Sequence, residues 1–250
     1  MTTLELKDIG KHYGPVAALE GVGLEVSSGE VTCLLGDNGA GKSTLIGVLS
    51  GRHRPFAGRI LLDGEEVSFP GPRAALDRGV ATVHQDLALV DDLAVWRNFF
   101  LGRELSRLGL LRIGEMRRAT AEALERLGVD LPDTDRPIGG LSGGQRQVVA
   151  IARAVHFGAR FLILDEPTAA LGVRQSEMVL RLVAAARDRG VGVVLITHNP
   201  AHALAVGDRF VVLGNGRVRL TAARGEVDSA TLAKEMAGGV DLDLGSHQKG

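Results

Sequence analysis

Three stretches of the chain are apolar at almost every position. They run from Val31 to Leu35, from Phe161 to Leu164 and from Val191 to Ile196. Strands of a parallel sheet have this pattern, because helices cover both of their faces. Between these stretches, apolar residues recur at the spacing of a helix face. The two sets are Met116, Ala119, Ala123, Leu124 and Leu127, and Val179, Leu182, Val183 and Ala186. Strands that alternate with helices predict an α/β core.

Two dipeptides predict antiparallel hairpins beside that core. Asp63-Gly64 and Asn215-Gly216 each stand between two runs with a strand pattern. Both favour a two-residue turn, since such turns need positive φ angles. The flanking runs are Arg59–Leu62 and Glu65–Val67 for the first, and Phe210–Leu213 and Arg217–Leu220 for the second.

Composition narrows the class of protein. The 250 residues are 45% hydrophobic and carry a net charge of -1, which suits one large domain or two closely joined lobes. Charges of both signs are interspersed, so we expect no nucleic-acid partner. The single cysteine, Cys33, excludes an intrachain disulfide and is predicted to be a core residue. The basic cluster Arg52-His53-Arg54 is interpreted as a solvated helix end.

Neither a signal peptide nor a membrane span is predicted. The N-terminus has no basic region followed by an apolar one, and no stretch of about 18 apolar residues occurs. Any membrane role must therefore come through a partner.

A phosphate-binding loop follows the first apolar run. The motif G-x-x-x-x-G-K-[ST] is formed by Gly36, Asp37, Asn38, Gly39, Ala40, Gly41, Lys42 and Ser43, with Thr44 next. Glycines let the backbone N–H groups turn toward a phosphate, and the following helix directs its positive end at it. Lys42 supplies a charge to the β- and γ-phosphates, and the Ser43 hydroxyl is placed to bind Mg²⁺.

Two carboxylates and a second anion cradle complete the candidate chemistry. Asp165 and Glu166 follow an apolar strand, where Asp165 is suited to hold Mg²⁺ and Glu166 to polarise an attacking water. Ser142, Gly143, Gly144 and Gln145 open a predicted helix that runs to about His156, and a hydroxyl with free N–H groups binds anions there. One chain has no evident use for two anion-binding sites on one nucleotide. In a head-to-tail pair of chains, each nucleotide would lie between the phosphate loop of one chain and the Ser-Gly-Gly segment of the other.

The string LSGGQRQ, from Leu141 to Gln147, resembles the signature of the ATP-binding-cassette (ABC) ATPases. The resemblance extends from about Leu4 to Val218. It implies an α/β phosphate-loop NTPase core with an antiparallel β subdomain and a helical subdomain, and a head-to-tail dimer of two copies closing on ATP. Expected boundaries are 1–87 and 158–237 for the core lobe, 88–157 for the helical subdomain and 238–250 for a flexible tail.

The resemblance also implies roles for three further residues. Tyr13 matches the aromatic residue that stacks on adenine, Gln85 the glutamine that reaches Mg²⁺ and the attacking water, and His198 the histidine that contacts the γ-phosphate and orients Glu166. Gly172 departs from the family, which usually has an aspartate there. This leaves open how the two nucleotide sites of the dimer communicate.

Several sequence segments are similar to those of bacterial monosaccharide importers. These are Asp37 in the phosphate loop, Phe69–Leu76, His84–Leu89, Asn98–Gly102 and Ala169–Val173. The resemblance implies an integral membrane permease that docks near Gln85–Leu101, and indirectly an extracytoplasmic sugar-binding protein. We expect the chain at the cytoplasmic face of the inner membrane. Trp96 is interpreted either as a core residue or as part of the docking surface.

Other functions remain open from the sequence. Within transporters, lipid or drug export is the nearest rival. A soluble ABC ATPase of DNA repair or translation, a small-molecule kinase and a regulatory cassette without turnover are the others. The kinase leaves LSGGQRQ unexplained, and Glu166 and His198 argue against a cassette without turnover.

Overall fold

The computed structural model describes residues 2–131 and 133–239, so the predicted tail lies outside the described residues beyond its first two positions. The strands are β1 (Thr3–Tyr13), β2 (Val16–Ser27), β3 (Val31–Leu35), β4 (Ala57–Leu62), β5 (Glu65–Val67), β6 (Val80–Val83), β7 (Ser106–Arg107), β8 (Leu110–Leu111), β9 (Phe161–Asp165), β10 (Gly192–Ile196), β11 (Arg209–Gly214) and β12 (Arg217–Ala223). The helices are α1 (Lys42–Leu49), α2 (Pro72–Asp77), α3 (Val95–Phe100), α4 (Ile113–Arg126), α5 (Gly143–His156), α6 (Val173–Asp188), α7 (Pro200–Val206) and α8 (Ser229–Met236).

A six-stranded sheet forms the centre of the molecule, with the strand order β12-β11-β3-β10-β9-β6. The pairs β11–β3, β3–β10, β10–β9 and β9–β6 are parallel, and only β12 is antiparallel. Every residue of β3 and β10 is buried. The three apolar runs are therefore the inner strands of a parallel sheet, as predicted.

A four-stranded antiparallel sheet, in the order β2-β1-β4-β5, lies beside the central one. Asp63 and Gly64 connect β4 to β5 with φ angles of 56° and 81°, and Asn215 and Gly216 connect β11 to β12 with 51° and 73°. Two positive φ angles are the requirement of a type I′ turn. Both predicted hairpins are confirmed.

Two hydrophobic clusters lie on opposite faces of the central sheet. One joins the antiparallel sheet, α1 and side chains such as Leu34 and Ile163. The other joins β3 and β9 to the segment between β6 and β9, including Phe99 and Ile151. The helical segment 88–157 therefore shares its core with the sheet, and its status as a subdomain stays a prediction.

Two single residues behave as core residues. Trp96 is 4% exposed and its Nε1 donates to Asp135 Oδ1 at 2.9 Å, which favours the core interpretation over the docking one. Cys33 is fully buried, as predicted, and burial raises the pKa of its thiol. Among the helices of residues 2–131 and 133–239, none has the length and apolar character needed to cross a membrane.

Candidate functional site

The phosphate loop connects the end of β3 to the start of α1. Gly36 has φ 151°, and a Cβ there would lie 2.5 Å from the Leu213 carbonyl oxygen; Gly41 has φ 106°, and its Cβ would lie 2.8 Å from the Ala18 oxygen. Close backbone approach thus requires glycine at both positions. The Lys42 ammonium group donates to the carbonyl oxygens of Gly36 (2.6 Å) and Asp37 (3.0 Å), so the lysine folds over the loop.

Glu166 and His198 meet at the adjacent strand ends. Glu166 follows β9 and has φ 49°, a left-handed conformation rare outside glycine. Its N–H donates to the Ile196 oxygen at 3.1 Å, and its Oε2 lies 3.0 Å from His198 Nδ1. Because β10 lies between β3 and β9, His198 lies between the phosphate loop and the acidic pair. The predicted contact of His198 with Glu166 is therefore present.

Asp165 lies at the carboxyl end of β9 beside His84, with 3.8 Å between Oδ2 and His84 Nδ1. Burial raises the pKa of this carboxyl group, the charge of Glu166 raises it further, and His84 and Arg52 oppose the rise. An Arg52 guanidinium nitrogen lies 3.5 and 3.4 Å from the two ring nitrogens of His84. The sequence did not place His84 or Arg52 beside Asp165, because only the fold brings them there.

Two adjoining cavities are lined by most of the residues predicted for the nucleotide site, although Gly36 and His198 line neither. The first, of about 550 Å³, is lined among others by Asp37, Asn38, Gly39, Ala40, Gly41, Lys42, Ser43, Thr44, Gln85, Asp165 and Glu166. The second, of about 840 Å³, is lined by Ser43, Thr44, Gln85 and Asp165 as well, and adds Tyr13, Arg52, His53, His84 and Asp86. Tyr13 thus lines the same cavity as Ser43 and Thr44 of the phosphate loop.

Ser43, Gln85 and Asp165 share both cavities and offer a hydroxyl, an amide oxygen and a carboxylate. These are the oxygen donors that Mg²⁺ prefers, and one or two carboxylates suffice when phosphates complete the shell. Among the described residues no group of three or more His, Cys, Asp and Glu side chains is arranged to hold a metal. The donor set fits Mg²⁺ that arrives with a nucleotide.

The signature lies apart from this space. Ser142 caps α5 in a reciprocal arrangement: its Oγ accepts from the Gln145 N–H at 3.3 Å, and Gln145 Oε1 accepts from the Ser142 N–H at 3.0 Å. Helix geometry leaves the N–H groups of Gly143 and Gly144 without intrahelical acceptors. Neither cavity is lined by these residues, so the chain does not bring its signature to its own phosphate loop.

Gly172 is the N-cap residue of α6. Its φ and ψ angles of -69° and 164° suit any residue, yet within the described part of the chain no side-chain cap bond forms at this helix start. The departure from the family thus leaves the first turn of α6 without a side-chain acceptor.

A third cavity, of about 250 Å³, lies where α5 packs near β6 and is called the groove here. It is mostly apolar, with Leu76, Val83, Leu87, Ala150, Ala154 and Phe157 among its lining residues. Arg103 and Arg153 also line it. They donate to the carbonyl oxygens of Phe157 (3.4 Å) and Leu101 (2.8 Å), and neither forms an ion pair within the described part of the chain. Burial lowers the pKa of Arg153 and the charge of Arg103 lowers it further, while Glu104 opposes the shift.

Comparison with known proteins places this geometry in context. The chain is 45% identical over 215 residues to the xylose/arabinose import ATP-binding protein of Sulfolobus acidocaldarius, covering 86% of both chains. It is 44% identical to the ribose import ATP-binding protein of Chromobacterium violaceum over 84% of this chain, but this spans only 42% of that relative.

A solved structure agrees with the fold. The cassette MJ0796, in a dimeric post-hydrolysis state bound to ADP and phosphate, is 26% identical, with a TM-score of 0.73 over 90% of this chain and 100% of that one. The model of the ABC transporter family matches residues 19–169. With a phosphate loop, an acidic pair and a capped signature helix on this scaffold, the chain belongs to the ABC transporter family.

Proposed function

We propose that this chain is the ATP-hydrolysing subunit of a monosaccharide importer, acting at the cytoplasmic face of the membrane through a separate permease. The observation that carries the proposal is the meeting of Lys42, Asp165, Glu166 and His198 at one sheet edge, in a chain similar to sugar-import ATP-binding proteins. Such an edge, at the carboxyl ends of parallel strands, is where α/β proteins bind ligands.

Each polar residue of the site has a proposed task. Lys42 leaves its carbonyl partners and neutralises charge on the β- and γ-phosphates. Glu166 accepts a proton from the attacking water, and His198 holds the Glu166 carboxylate in place through the 3.0 Å contact. Tyr13, 44% exposed, offers its ring to the base. Ser43, Gln85 and Asp165 would hold Mg²⁺, which would supply positive charge to the phosphates.

A second copy completes the site. The Ser142 hydroxyl accepts its cap bond and still has a proton to donate, and the N–H groups of Gly143 and Gly144 are open to an anion. Because these groups lie apart from the chain's own phosphate loop, a head-to-tail dimer supplies them to the nucleotide of the partner copy. The dimeric state of the MJ0796 cassette supports this arrangement.

The groove is the proposed docking site of the permease. An apolar wall suits the buried face of a short helix. Arg103 and Arg153 lie close enough to repel each other, and within the described part of the chain neither forms an ion pair, although the charge of Glu104 partly offsets theirs. We therefore expect the docking helix to present an aspartate or glutamate to this pair, since covering a half-buried cation leaves it in need of an opposite charge.

The test is a pull-down of the tagged chain from gently solubilised host membranes, followed by ATPase assays with candidate sugars. A polytopic permease in the eluate, with turnover that rises on adding sugar-loaded binding protein, supports the importer. An exporter would be indicated by turnover that responds to lipids or drugs. If only soluble or nucleic-acid-bound proteins are recovered, the proposed ATPase activity stands and the proposed role in transport is refuted.

A further inference from the structure

Gly47 lies in the middle of α1, a position where glycine weakens a helix. A Cβ at this position would lie 2.1 Å from Cδ2 and 2.8 Å from Nε2 of His53. The His53 N–H also donates to the Gly47 carbonyl oxygen at 2.8 Å. The missing side chain therefore makes room for the His53 ring, which folds back on the helix that follows the phosphate loop.

The His53 ring also packs on the ring of Tyr13. Their centroids are 5.8 Å apart and their planes meet at 82°, the edge-on arrangement that aromatic pairs favour. Both rings line the larger nucleotide cavity, together with Ser43 and Thr44 of the phosphate loop. The basic cluster predicted to be a solvated helix end thus has a packed ring at its centre, between two exposed arginines.

The segment that carries His53 is tied to the end of β1 by three more contacts. The Lys11 ammonium group donates to the Arg54 carbonyl oxygen at 2.8 Å, and the Phe56 N–H donates to the Gly10 oxygen at 2.7 Å. The rings of His12 and Phe56 pack at 5.1 Å. Tyr13, the last residue of β1, is therefore held against a segment that begins at the phosphate-loop helix.

The surroundings of His53 favour its neutral ring. Partial burial lowers its pKa, and the cations Lys11 and Arg52 lower it further. A neutral ring packs on Tyr13 without adding another positive charge beside Lys11, which lies 5.6 Å from the Tyr13 centroid.

We propose that His53 is a positioning residue for the nucleotide base: it holds the Tyr13 ring in the orientation in which the base stacks, and Gly47 is required to seat it. The inference rests on the proposed nucleotide-binding function and on the role of Tyr13 in it. It predicts that His53 affects the base and not the phosphates.

The test compares the binding of Mg-ATP with that of tripolyphosphate, which lacks a base, by calorimetry on the purified chain. His53→Ala is expected to weaken ATP binding about two- to tenfold, the range of an aromatic pair, and to leave tripolyphosphate binding unchanged. His53→Phe, which keeps a ring, is expected to restore ATP binding.

Gly47→Ala gives an independent check that does not remove His53. The added methyl group displaces the ring, so ATP binding should weaken to a similar extent. In the His53→Ala background the same change meets no ring and should cause no further loss. A second loss there would show that Gly47 acts in another way and overturn its proposed part.

Tyr13→Ala separates the two levels of the argument. If ATP binding survives this change, the proposed base site is wrong and the inference fails with it. If Tyr13→Ala weakens ATP binding and His53→Ala does not, only the inference is overturned. A His53→Ala variant that weakens tripolyphosphate and ATP equally also overturns it, because the effect then lies at the phosphate loop.

Discussion

Glu166 combines a strained backbone with the chemistry proposed for the site. A non-glycine residue at φ 49° is unfavourable by roughly 1–3 kcal/mol and persists only where the surroundings hold it. The N–H bond to Ile196 and the contact with His198 provide that support. In this conformation Glu166 lines the same cavity as the phosphate loop.

Glu166→Gln tests this carboxylate as the base. Glutamine keeps the size of the side chain but does not take the proton of water, so turnover should fall about 10²–10⁴-fold. Bound ATP then persists, and light scattering should show a dimer at saturating Mg-ATP. The wild type without nucleotide is the monomeric reference. A monomeric Glu166→Gln variant at saturating Mg-ATP would contradict the head-to-tail model.

Lys42→Ala tests the phosphate contact. At ATP concentrations of 100 times the dissociation constant, binding should stabilise the wild type by about 2.7 kcal/mol, measured by denaturant unfolding. The variant should lose most of this protection at the same ATP concentration. Lys7→Ala, a surface lysine paired with Glu5, is the control that should keep it. Full protection of the Lys42 variant would refute the proposed contact.

Asp165→Asn exposes a conflict between function and stability. Burial and Glu166 raise the folded-state pKa above the unfolded value, about 3.9 for a free aspartate. The wild type therefore loses unfolding free energy as the pH rises through the interval between these two values. The variant has no such loss and should be more stable than the wild type at neutral pH without nucleotide.

The increase in unfolding free energy caused by Asp165→Asn should disappear below the pKa of the unfolded state. At such a pH the wild-type carboxyl group is neutral in both the folded and the unfolded state. Urea unfolding across the pH range measures this increase. Asp92→Asn, at an exposed position, is the matched control and should show no gain. A constant difference at all pH values would point to packing and not to ionisation.

At the scale of elements, the first turns of α5 and α6 differ in how they are capped. Ser142 and Gln145 cap α5 reciprocally, whereas α6 begins at Gly172 without a side-chain cap. The backbone of Gly172 is extended, so a larger residue fits without strain. A capping side chain at position 172 would therefore increase the free energy of unfolding, and glycine does not provide one.

Gly172→Asp should stabilise the chain by about 0.5–1 kcal/mol, because the carboxylate accepts from the first turn of α6 and meets its positive end. Gly172→Ala supplies no acceptor and should give no such gain. Thermal unfolding of the two variants measures the difference. Equal stability of both would mean that the first turn of α6 is already satisfied.

Elements with strong local signals were predictable from the sequence. The inner strands followed from unbroken apolar runs, and the hairpins from Asp63-Gly64 and Asn215-Gly216. The short β7–β8 hairpin gave no comparable signal, because its two-residue strands lack an apolar period. The contacts of His53 with Tyr13 and of His84 with Asp165 join segments far apart in sequence, so no local pattern reports them.

At the scale of the whole molecule, the chain supplies half of each proposed catalytic site and a proposed docking groove for the permease. The phosphate loop and acidic pair lie at the sheet edge, and the signature lies on α5, outside that cavity. Assembly is therefore part of the proposed activity.

The double variant Arg103→Ala/Arg153→Ala tests the groove. It should lose the co-purifying permease while keeping Mg-ATP binding, since neither arginine lines the nucleotide cavities. Arg181→Ala, an exposed arginine paired with Glu177, is the control that should retain the permease. Retention by the double variant would refute the proposed carboxylate contact, whereas no permease with the wild type would refute the importer itself.

Helix α5 has one end at the signature and the other at the groove. Its 14 residues make a rod of about 21 Å, with Ser142 before its first turn and Arg153 and Phe157 at its last. A short helix moves largely as one body, so we expect a displacement at the groove to move the signature with it. In the proposed assembly, the permease would contact one end of α5 and the nucleotide of the partner copy would contact the other.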